Sequence, residues 1–156
     1  MWKAFQRYRA LDSEARRLFR RAVILLPWVA LSLRIRGFKK TNDALQTGSP
    51  STSLPPQPGN LKVGEIVHKT SRMVIAAAHY GLVHPTCLVE SLVLWHLLQR
   101  QGVPAALRIG VRKASDKFEA HAWVEFEGAA LNQPEQQHRH YAAFDNGFSD
   151  LPGENQ

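Results

Sequence analysis

Cys87 is the only cysteine of the 156-residue chain, and it heads an apolar run, CLVESLVLWHLL (87–98). Two helix starts are open here. In one, Thr86 is the N-cap and Cys87 the first helical residue; in the other, His84 caps, Pro85 follows and Cys87 comes third. In both, the thiol lies in the first turn, where backbone N–H groups and the helix dipole favour thiolate over thiol. The same N–H groups can receive the oxyanion of a tetrahedral intermediate. A structural cysteine would sit more naturally in mid-helix, on the apolar stripe.

A thiolate nucleophile needs a base, and the base needs a group to orient it. Of the seven histidines, His121 falls on the polar face of EAHAWVEF (119–126), between the small residues Ala120 and Ala122. Trp123 on the same face would shield the pair from solvent. If Glu127-Gly128 forms a two-residue turn, Trp123 pairs with Asn132, which then stands diagonal to His121. A bulge in the turn would bring Gln133 to that face instead. An amide oxygen can accept the imidazole N–H and hold its tautomer, as in Cys-His-Asn enzymes, although it stabilises an imidazolium less than a carboxylate does. His79, His84 and His96 show no tight ligand spacing with Cys87, and His138 and His140 fall in a polar tail, so neither a metal nor a cofactor is expected.

These residues need elements to carry them. The run 86–101 is apolar almost all round, the mark of a buried central helix, and Gly102 and Pro104 stop it. Before it, 61–81 has helical spacing, with Gly81 placed to end the helix. After it the period changes to two: ALRIGVRK (106–113) and 119–126 read as strands. Helices followed by an antiparallel sheet mean an α+β fold. Residues 134–156 look irregular. The stretch 46–60 carries four prolines, two glycines and no charge, and reads as a linker between a basic helical segment (1–45) and the core (61–156).

The charge is uneven. Residues 1–40 hold eleven Lys/Arg against Asp12 and Glu14, which is +9 of the chain's net +7. Asp12 or Ser13 can cap a first helix, and Pro27 is expected to end or kink it before a second short helix, 28–36. The apolar stretch AVILLPWVALSL (22–33) would be about 18 Å long as a helix, short of a hydrocarbon core of about 30 Å. RIRGFKK follows it where a cleavage site would be needed. The segment is therefore read as a helix pair packed on the domain, with peripheral contact to an anionic membrane as the other reading. The arginines lack the interleaved aromatics of single-strand binders, which excludes nucleic acid. A lone cysteine fits a cytoplasmic protein.

CLVESLVLWHLLQRQGVPAALRIGVRK together with FEAHAWVEFEG resembles the transglutaminase-like cysteine peptidases of lasso-peptide biosynthesis, the B-type proteins that remove the leader from a ribosomally made precursor. The resemblance implies a papain/transglutaminase-like core, with Cys87 as nucleophile and His121 as base. The family usually places an Asp shortly after the His strand; Asn132 and Gln133 stand there in this sequence, and Asp145 is the acid that could reach in from elsewhere. A leader-recognition module is fused to some members, but residues 1–60 are too short and too helical for it. A separate recognition protein and a macrolactam-forming cyclase are thus the implied partners, beside the precursor peptide. A transglutaminase-like acyl transferase and a non-catalytic adaptor of a peptide-maturation complex are the alternatives.

Overall fold

Asp12 starts the first helix, α1 (Ser13–Thr47). Its carboxylate accepts the Ala15 N–H at 2.7 Å and its carbonyl the Arg16 N–H at 3.0 Å, as an N-cap does. In this computed structural model, which describes residues 11–47, 61–81, 84–114, 117–132 and 142–143, α1 does not end at Pro27. It runs through the proline, and helical geometry is lost at Gly37 instead (φ 77°, ψ 177°). Leu26 and Val29 flank Pro27 and are buried. Burying two such side chains is worth roughly 1.5–3 kcal/mol each, enough to offset the ~3 kcal/mol cost of an internal proline. Beyond the break, Thr41 donates to the Gly37 carbonyl (2.8 Å) and shares a hydrogen bond with Ser32 (3.0 Å), which ties the second part of α1 back to the first.

The second helix, α2 (Leu61–Tyr80), buries Val67, Met73, Val74 and Ala77. Gly81 follows it, but not in the left-handed conformation of a terminal glycine. Its N–H reaches the Ala77 carbonyl at 2.8 Å, and a Cβ there would run into that carbonyl. Lys69 bridges Asp12 (3.2 Å) and Glu14 (2.8 Å), joining α2 to the start of α1.

The third helix, α3 (Cys87–Gln99), is the central one: Leu92, Val93, Leu94, Leu97 and Leu98 are all buried although they point to different sides. It stops as its sequence predicts. Gly102 turns left-handed (φ 74°), and the Val103 N–H returns to the Leu98 carbonyl at 3.0 Å.

Strands β1 (Ala106–Ala114) and β2 (Lys117–Phe126) form an antiparallel hairpin, and β3 (Ala129–Ala130) and β4 (Ala142–Ala143) complete a sheet of order β3-β2-β1-β4. The molecule is therefore α+β, as expected. Glu127 and Gly128 both have positive φ (50° and 79°), the signature of a two-residue I′ turn, and Phe126 pairs with Ala129. The tail is not wholly irregular, since β4 pairs with β1 through Gly110↔Ala143 and Val111↔Ala142. Ala22, Leu26, Val29 and Leu45 of α1 share one core with α2, α3 and Val124 of the sheet. Of the 46–60 linker, residues 48–60 lie outside the described residues.

Candidate active site

Of the two helix starts, the structure takes the first. Thr86 is the N-cap, extended (φ −72°, ψ 162°), and its hydroxyl accepts the Val89 N–H at 3.4 Å. Cys87 is thus the first helical residue, half-buried. The Glu90 N–H takes the Thr86 carbonyl (3.0 Å) as the first helical bond, and helix geometry gives the Cys87 and Leu88 N–H groups beside the thiol no carbonyl four residues back.

His121 is half-buried on β2, opposite Gly110 of β1, which sets no side chain against it. Its ring stacks on Trp123, with centroids 6.3 Å apart and planes at 22°. Trp123 is buried. Alternation along β2 puts Ala122 and Val124 toward the helical core, while His121, Trp123 and Glu125 have the other parity. Arg108 shares that parity and pairs with Glu125 at 3.6 Å.

Helix and strand are joined by a polar chain. Ser91, one turn beyond Cys87, donates its hydroxyl proton to the carbonyl of Ala122, the neighbour of His121, at 2.9 Å. Residues four apart lie on one helix face, so the turn that begins at Cys87 is fixed beside residues 121–122. Asn132 extends the chain: its Nδ2 donates to Ser91 Oγ (2.9 Å), and its Oδ1 accepts the Val124 N–H (3.0 Å). Asn132 is not on a strand, because β3 stops at Ala130 and the chain bends. The amide oxygen expected to face the imidazole is here engaged by the strand backbone. Gln133, Asp145, His138 and His140 lie outside the described residues.

Sequence reasoning gives Glu90 no role, and Ser91 enters it only as the serine of the CLVESL stretch that carries the resemblance. The signal was there: they are the two polar residues between Cys87 and Trp95 in an otherwise apolar run. Burial pushes the Glu90 carboxyl above its ordinary value, and a hydrogen bond with Asn132 partly offsets this. The helix that starts at the thiol and the strand that carries the histidine are thus fastened together through Ser91, Ala122 and Asn132. Such a site can perform acyl transfer through a thioester.

No curated protein and no solved structure matches the chain. The profile of the Transglutaminase-like superfamily matches residues 22–144, which takes in most of α1, helices α2 and α3, the hairpin and β4. The superfamily includes cysteine peptidases and acyl transferases, and its match spans well over half of these 156 residues: this chain belongs to the transglutaminase-like superfamily.

Proposed function

We propose that this protein is a cysteine peptidase that removes the leader from a ribosomally synthesised lasso-peptide precursor. One observation carries the catalytic part. A buried helix whose first turn bears the sole thiol is bonded, one turn further on, through Ser91 to Ala122 of the strand that bears His121. The likeness of CLVESLVLW and AHAWVE to the leader peptidases supports the substrate.

In this reading His121 takes the thiol proton and the Cys87 thiolate attacks the scissile carbonyl carbon. The oxyanion is held by N–H groups at the start of α3. The intermediate collapses, the C–N bond breaks, and protonated His121 gives its proton to the leaving amine. Water, deprotonated in turn by His121, attacks the thioester; the acid is released and the thiol restored. Asn132 positions the machinery through the strand backbone and Ser91. A separate recognition protein would present the leader, and a macrolactam-forming cyclase would take the released core peptide.

Cys87→Ala should abolish precursor cleavage with the recognition protein present, and His121→Ala should reduce kcat/KM by about 10²–10⁴-fold. Cleavage undiminished by Cys87→Ala would sink the proposal. Mass spectrometry of the product identifies the resolving nucleophile: hydrolysis leaves a free carboxylate, whereas an amide product means acyl transfer to an amine. A cysteine-directed electrophile should label Cys87 at neutral pH in a His121-dependent manner; an adaptor would show no such dependence.

A further inference from the structure

Between Arg16 and Lys40 the chain has eight Lys/Arg and no acid. On this part of α1 four large apolar residues stand in solvent: Ile24 (69% exposed), Trp28 (42%), Leu31 (58%) and Ile35 (71%). Their spacing of four, three and four residues makes one stripe, about 16 Å long. It backs onto the face whose Ala22, Leu26 and Val29 are in the core. Arg17, Arg20, Arg34 and Arg36 are exposed along the same stretch. The result is a convex apolar ridge flanked by cations.

A cleft of about 260 Å³ opens beside the ridge, lined by Arg21, Ile24, Leu25, His96, Leu97 and Arg100. Ile24 belongs to both. The ring of His96, 7% exposed, hydrogen-bonds the Leu45 backbone, and its Nδ1 is buried without a hydrogen-bond partner. Burial lowers the Arg21 pKa, and the charged neighbours that lower it further are cations too, Arg17 and Arg100. Two arginines lining one cleft with the apolar walls of Ile24, Leu25 and Leu97 suit an anionic group that carries an apolar stem.

We propose that α1 docks on an anionic lipid bilayer, with Ile24, Trp28, Leu31 and Ile35 entering the interface and the Arg21/Arg100/His96 cleft holding a lipid phosphate. A convex ridge needs a partner that deforms around it, which a bilayer does and an acidic peptide does not. No helix among the described residues is long and apolar enough to cross a membrane, so α1 lies on the surface. The proposal is independent of the peptidase reading, since it uses no residue of that site.

The test is sedimentation of the full chain with vesicles of phosphatidylcholine, alone or mixed with phosphatidylglycerol. Binding should require the anionic lipid and weaken with salt. Trp28→Ser and Ile35→Ser should each reduce it roughly tenfold, and Arg100→Gln roughly fivefold, whereas Lys40→Gln, beyond the Gly37 break, should cost less than Arg100→Gln. Cys87→Ala should bind like the parent chain. Unchanged melting temperatures of the exposed-ridge variants will show that they fold. Equal binding to both vesicle types, or no loss in the ridge variants, overturns the proposal. So does a dimer that Trp28→Ser dissociates in a chain that does not bind vesicles, or inorganic phosphate or a polyglutamate peptide binding as tightly as the vesicles.

Discussion

Glu90 lies three residues beyond Cys87, on the same side of α3, and burial raises its carboxyl pKa above the ordinary value of 4.5. The sign of its effect on stability follows. Between 4.5 and the raised folded value, the folded protein holds a proton that the unfolded chain has released, so stability falls as pH rises through that window. Above it the cost is complete. Glu90→Gln should therefore melt higher than the parent chain at pH 7, and the two should converge below pH 4.5. Thermal melts across that range check this; a constant difference would mean that ionisation of Glu90 is not the cause.

At the scale of elements, two joints hold the site. The first is the chain Asn132–Ser91–Ala122/Val124, which fastens α3 to β2. Asn132→Ala leaves the buried Val124 N–H without its acceptor, at a cost of about 1–3 kcal/mol. Ser91→Ala breaks the same chain, so the double variant should lose less than the two single losses added together. Denaturant unfolding measures all three, and full additivity would refute a shared strut. The second joint is Gly37, whose φ of 77° and ψ of 177° are open to glycine and little else. Nothing lies within 4 Å of a Cβ built there, so the cost of Gly37→Ala is backbone strain alone, about 1–3 kcal/mol. It should appear as a lower melting temperature. A neutral result would mean that the Gly37 conformation carries no strain.

At the scale of the whole molecule, α1, α2 and α3 share one core, and His96 sits where they meet α1's charge. Burial lowers the His96 pKa from its ordinary 6.5, and Arg100 and Arg21 lower it further. The unfolded chain therefore takes up this proton first as pH falls. Stability is full above 6.5 and is lost from there down to the lowered folded value. Melting temperature should drop between pH 7 and that value, and His96→Gln should flatten the drop. This window runs opposite in sign to that of Glu90, so the two variants separate the contributions.

The α+β order, the buried helix, its Gly102 stop, the strand period and the Glu127-Gly128 turn were legible in the sequence, because period and turn chemistry are local properties. Cys87 at a helix start was legible for the same reason. Only the tertiary structure decided the rest. Pro27 stays helical because Leu26 and Val29 are buried against other helices, which no local rule registers. Asn132 engages Val124 and Ser91 because the chain bends after β3 and the fold brings Ser91, 41 residues away, beside it. Glu90 matters because burial, not type, moves its proton. The bared ridge of α1 exists because the core took the opposite face of the same helix.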